Sequence, residues 1–145
     1  MPPTLQAFWN KLNANEKLVM YGAGLAVVAF LLGAVASRGY FGTGSGDLIA
    51  AIVIAIIYWL KYSPNKINWP APVQTIVLVI AGISAIFAIL GLLAWIGFFG
   101  LDLYGIAILV NAVGCGIMAY GAWKEYQAMP KAASTPPAPP APPAA

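Results

Sequence analysis

Between Ala71 and Ala122 the chain carries one charged side chain, Asp102. Such a stretch cannot build a water-facing surface, and it is about twice the length that one crossing of a bilayer needs. The rest of the chain agrees. Of 145 residues, 61% are hydrophobic and 8% charged, against roughly 25% charged in soluble domains. A soluble globular fold is excluded. So is wholesale disorder, which needs low hydrophobicity and high charge. The composition predicts an integral membrane protein.

Apolar runs give the architecture. Leu18 to Ala36 has no charge and at ~1.5 Å per residue covers about 30 Å, the thickness of a hydrocarbon core. Leu48 to Leu60 is shorter and reaches span length only if Gly44 to Asp47 and Tyr58 to Tyr62 lie in the interfaces. Its β-branched residues lack the in/out polar alternation of a barrel strand. The long stretch divides at Gly97, Gly100 and Asp102, and Asp102 is placed to cap the last helix. Backbone satisfaction in lipid requires helices. The predicted fold is therefore an all-α integral membrane protein with four transmembrane helices, near 18–37, 46–62, 73–96 and 103–123, in an up-down antiparallel bundle. Residues 1–17 form an amphipathic lead-in, 18–123 the membrane domain and 124–145 a Pro/Ala-rich tail.

Alternating crossings put Lys11, Lys17, Lys61, Lys66, Lys124 and Lys131 on one face and Arg38 alone on the other. By the positive-inside rule both termini are cytoplasmic, in a multi-pass protein of a bacterial plasma membrane. Trp9, Trp59, Trp69, Trp95 and Trp123 all fall at or outside helix ends, as interface anchors do.

Leu5, Phe8, Trp9 and Leu12 recur at helical spacing with Gln6, Asn10, Lys11 and Asn13 between them. The pattern fits a short interfacial helix; a frayed extension of the first span is the alternative. Asn13 and Glu16 have the spacing of a capping box. Lys11, Lys17, the apolar run and Ala34-Val35-Ala36 before Ser37 also resemble a cleavable signal peptide, although the run is long for one. From Pro130 the chain is proline-rich, with Pro136 and Pro139 at PxxP spacing. It reads as a disordered polyproline-II tail, solubilising or docking a cytoplasmic partner.

The inventory removes most chemistry. Histidine is absent, which deletes the commonest metal ligand and general base. Cys115 is the single cysteine and closes no intrachain disulfide. Glu16, Asp47, Asp102 and Glu125 are far apart in sequence. No catalytic residue, cofactor site or metal site is expected, and the dispersed basic residues make no nucleic-acid patch. The lipid bilayer is the expected partner, with other membrane subunits a candidate for the apolar second span.

No predicted span has a charge in its interior, which disfavours proton-coupled transport. Asp47, Asp102, Tyr104 and Arg38 are expected together at the outer interface. Ser84 and Asn111 are the polar residues at mid-depth, with Asn111 expected to donate to Ser84 or to a backbone carbonyl. Helix packing is assigned to the small residues Gly22, Ala26, Ala29 and Gly33 on the first span. On the third span it falls to Ser84 and Ala88, with Ala81, Ala85 and Gly91, and on the fourth to Asn111 and Gly116, with Ala112 and Ala119. Cys115 is expected to be buried and unreactive.

The lead-in Asn15-Glu16-Lys17-Leu18 and the ending Ala119-Tyr120-Gly121-Ala122-Trp123-Lys124-Glu125, followed by a proline-rich tail, make the layout resemble the many uncharacterised small four-span bacterial membrane proteins. That resemblance is architectural and implies no activity. The expected function is an accessory or scaffold subunit of a larger membrane assembly, without catalysis. The alternative is a small channel or facilitator with a path past Asn111 and Ser84.

Overall fold

A computed structural model describes residues 3–36, 45–65, 67–96, 102–129 and 143. Five helices follow in order: α1 Pro3–Lys11, α2 Ala14–Ala36, α3 Ser45–Lys61, α4 Val73–Ile96 and α5 Leu103–Ala128. No strand occurs among the described residues. Three helices, α2, α4 and α5, are long and apolar enough to cross a membrane. With 17 residues, α3 is shorter than these three. The Pro/Ala-rich tail at 130–142, the Gly97–Gly100 turn, the Ser37 junction, Arg38, Lys66 and Lys131 lie outside the described residues.

Local chemistry fixes the helix starts. At α2 the Asn13 side chain accepts from the Glu16 amide at 2.9 Å while Glu16 accepts from the Asn13 amide at 3.0 Å, a reciprocal capping box. The box separates α1 from α2, so the lead-in is a helix of its own and α2 starts at Ala14, before Leu18. At α5 the Asp102 carboxylate accepts from the Gly105 amide at 2.9 Å. The α5 helix also continues past Trp123 to Ala128.

The most extensive interface joins α2 to α5, and its depth depends on glycine. A Cβ on Gly22 would lie 2.4 Å from the Met118 amide nitrogen and 2.5 Å from the Gly114 carbonyl oxygen. One on Gly114 would meet Leu25 Cβ at 2.8 Å, and one on Gly121 would meet the Asn15 carbonyl at 2.9 Å. These pairings run in opposite senses along the two helices, so α2 and α5 are antiparallel. Backbones this close gain dispersion contacts that bulkier residues would forfeit, the usual basis of helix association in lipid.

Around that seam Val19, Ala26, Ile54, Tyr58, Val77, Ala81, Cys115 and Met118 are buried. The buried positions of α4 (Val73, Val77, Ala81, Ser84, Ala88) follow the i, i+4, i+7 pattern of one helical face. Opposite faces carry exposed apolar side chains such as Ile86 and Leu90 on α4 and Ile52 and Ile56 on α3. A protein apolar inside and outside suits a hydrocarbon solvent. The α1 helix folds back on the bundle: Phe8 packs on Trp59 with centroids 5.2 Å apart, Trp9 meets Tyr21 edge-on at 5.3 Å, and Leu12 is buried.

Candidate functional site

The short third helix makes the site. At one end of the bundle Glu16 pairs with Lys61, which aligns the start of α2 with the end of α3. Asp47 lies 14 residues before Lys61, so it sits about 21 Å along the bundle from that pair. Asn111 lies 14 residues before Glu125, again about 21 Å. The two arrive at one level, together with Ser84 from the middle of α4.

There Asp47 is 6% exposed, and both carboxylate oxygens accept hydrogen bonds. Ser84 Oγ donates to Oδ1 at 2.5 Å and Asn111 Nδ2 donates to Oδ2 at 2.6 Å. Cys115 Sγ stands 3.5 Å from Ser84 Oγ and 3.8 Å from Asn111 Oδ1, where its thiol donates. The four side chains form a closed ring drawn from α3, α4 and α5. Position in the first turn of α3 also sets the Asp47 carboxylate against the positive end of the helix dipole.

The ring borders a cavity of about 690 Å³, within the range of small-molecule sites. Asp47, Ser84 and Asn111 supply its polar wall. Phe30 and Gly33 of α2, Ile49 and Val53 of α3, Phe87 and Ala88 of α4 and Tyr104 of α5 contribute to the rest. Helices α2, α3, α4 and α5 all contribute to its wall.

A second polar cluster closes the lysine-bearing end. Glu16 is fully buried and accepts from Lys61 Nζ and, at 2.6 Å, from the Tyr62 hydroxyl. Glu125, also buried, accepts from Asn13 Nδ2 at 2.9 and 3.0 Å and from Asn15 Nδ2 at 3.4 Å. Burial, and then the hydrogen bond to Glu16, push the Tyr62 phenol well above its usual range. Between the clusters Ile54, Val77 and Met118 are completely or almost completely shielded.

Several sequence expectations change here. The Asp47 carboxylate points inward to Ser84 and Asn111 and shares its cavity with Tyr104, while Arg38, expected beside it, lies outside the described residues. Asp47, in the first turn of α3, turns its carboxylate into the bundle, so one carboxylate is buried among the helices where none was expected. Asn111 donates to Asp47, and Ser84 and Asn111 are joined through that carboxylate. Gly116 is exposed with open space around its Cβ position; the close approach belongs to Gly114 and Gly121, on the other side of the helix.

Gly22 and Ala26 lie in the α2–α5 seam. Ala29, Gly33 and Ala88 line the cavity with Ser84 and Asn111. Of the tryptophans, Trp59 and Trp123 are exposed while Trp9, Trp69 and Trp95 are half-buried. Cys115 is wholly buried. No group of metal-ligating residues is present among the described residues. Sequence reasoning missed Asp47, whose signal was the shortness of its own run, and the meeting of Glu125 with Asn13, for which nothing local gives a signal. Comparison with protein-family models, with curated proteins and with solved structures returns no match for this chain.

Proposed function

We propose that the chain is a four-span membrane protein that works without catalysis, as a small facilitator whose solute passes through the Asp47 cavity. One observation carries the reading: a buried carboxylate, fully hydrogen-bonded by Ser84 and Asn111, forms the polar wall of a cavity some 690 Å³ in volume. Structural carboxylates at this depth are costly and tend to mark solute or ion paths. In this reading α3 makes the fourth crossing. Its 17 residues advance the chain about 25 Å, and the lysine-bearing end lies on the cytoplasmic side of a bacterial plasma membrane.

The test is flux from proteoliposomes loaded in turn with cationic, neutral and anionic amphipathic dyes of matched size. At least one should leave faster than from protein-free vesicles, and Asn111→Leu should slow it. Equal rates for all three dyes, with and without protein, would end the reading. Cysteine-accessibility labelling checks the topology: positions 66 and 131 should label from the same side.

The accessory-subunit reading rests on a different feature, the outward row Ile52, Ile56 and Trp59 on α3. It requires a stoichiometric protein partner in mild-detergent extracts. Acyl chains cover such a row as well as a subunit does, whereas they do not account for the Asp47 ring.

A further inference from the structure

The charge on Asp47 has no counterion among the described residues. Their one ion pair, Lys61 with Glu16, lies about 21 Å away at the end of the bundle. The groups that face Asp47 are Ser84 from α4 and Asn111 and Cys115 from α5, with Tyr104 in the same cavity. The cavity residues of α2, Ala29, Phe30 and Gly33, bring no charge. A buried carboxylate that borders a cavity, with no cation beside it among the described residues, is a place where a cation can bind.

The ring is built to hold both states. When Asp47 is ionised, the Ser84 hydroxyl and the Asn111 amide both donate to it, as observed. When it is protonated on Oδ1, the carboxyl donates to Ser84 Oγ. The serine hydroxyl then turns toward Cys115 Sγ, the thiol donates to Asn111 Oδ1, and the Asn111 amide still donates to Oδ2. Every donor has an acceptor in each state, and only the serine hydrogen has to turn. An ammonium in place of the serine hydroxyl would lack this freedom, because it donates only.

The remaining lining selects the cation. Phe30, Phe87 and Tyr104 give the cavity three aromatic rings beside one carboxylate, a combination that favours a weakly hydrated organic cation over a metal ion. We propose that this cavity takes an organic cation with an apolar body, such as a quaternary ammonium or phosphonium, and that each cation bound at Asp47 displaces the carboxyl proton to solvent. The proposal rests on the reading of the cavity as the working site, and makes the facilitator an exchanger of cation for proton. No covalent bond to the cation forms: the O–H bond of the carboxyl breaks, water takes the proton, and the cation balances the carboxylate left behind.

The probe is tetraphenylphosphonium, with triphenylphosphine oxide as a neutral compound of related shape, both added to the purified full chain in detergent. Binding of the cation should weaken as the pH falls, approaching tenfold per unit where Asp47 is protonated. In weakly buffered solution, at a pH where the free carboxyl holds its proton, up to one proton per cation should appear in a pH dye. Asp47→Asn should lose the proton release and at least tenfold in cation affinity. Triphenylphosphine oxide should bind independently of pH.

Cation binding that is flat with pH and releases no proton overturns the exchange while leaving the cavity as a binding site. Binding of the neutral compound alone overturns the cation class. If neither compound binds and no dye moves in the vesicle assay, the cavity reading falls as well. Should Asp47→Asn fail to fold, the proton count on the unaltered chain decides.

Discussion

Replacing Gly22 by alanine adds one methyl group at the tightest point of the bundle. The new carbon would lie 2.4 Å from Met118 N, 2.5 Å from Gly114 O and 2.8 Å from Met118 Cα. Ordinary contact needs about 3.5 Å, so α2 and α5 must part by about 1 Å. All three obstacles are backbone atoms, and no side chain can swing aside. Overpacking typically costs 1–3 kcal/mol, and this site belongs at the upper end, about 3 kcal/mol, because parting the helices also thins the contacts along the seam. That is roughly a hundredfold in the folded-to-unfolded ratio. In a membrane the dissociated helices stay helical, so alanine's helix propensity offers little compensation. The measurement is reversible unfolding in mixed micelles, following tryptophan fluorescence as the denaturing detergent fraction rises. Gly24→Ala and Gly116→Ala are the controls, since a Cβ at either meets nothing within 4 Å; both should be neutral to within about 0.5 kcal/mol. A Gly22→Ala loss no larger than these would refute the glycine-seam account.

Glu16→Gln removes the charge that Lys61 and Tyr62 share, and should cost about 2 kcal/mol in the same unfolding assay. Tyr62 is held neutral in the folded chain, with its phenol raised above the ordinary value near 10. Its contribution is complete below pH 10 and is lost as the pH rises toward the folded value, so stability should fall above pH 10 and Tyr62→Phe should fall less steeply. Asn111→Leu deletes one of the two donors to Asp47 and should lower stability by about 1 kcal/mol, within the range for hydrogen bonds in bilayers. Cys115, at 0% exposure, should react with a maleimide at least about a hundredfold more slowly in mild detergent than after unfolding in SDS.

What could be read in advance was local or one-dimensional. The Asn13–Glu16 box and the Asp102 cap depend on residues three positions apart, and the spacing alone exposes them. The depth of Ser84 and Asn111 follows from counting along a helix of fixed rise. What could not be read depends on rotation or on distant pairing. Gly114 and Gly116 differ by two residues, or about 200° around a helix. Choosing 116 over 114 therefore turns the predicted seam to the opposite face, and three glycines within eight residues give the sequence no preference. Glu125 meets Asn13 across 112 positions, and nothing near either residue announces the other. Asp47 is the instructive case. Its run is visibly too short, yet shortness fits equally an aspartate in the far interface and one stopped inside, and only the pairing of Lys61 with Glu16 fixes which end is anchored.

That anchoring also divides the bundle into a firm part and a looser one. The α2–α5 seam is welded by three glycines whose replacement would force backbones apart. The contacts of α3 with α2 and with α4 are less extensive and are fastened by polar groups at two points, Asp47 near its start and Lys61 at its end. Between those points Ile54 and Tyr58 fill the core beside Val77 and Met118. In the proposed facilitator a solute resting against Asp47 would meet an apolar barrier on the lysine-bearing side, and α3 supplies one wall of it. A route through that barrier would leave the α2–α5 frame in place, because the frame has no slack at Gly22 and Gly114. In the proposed exchanger a change of occupant at Asp47 would alter one of the two fastenings that hold α3 in place, which couples the ring to the position of that helix.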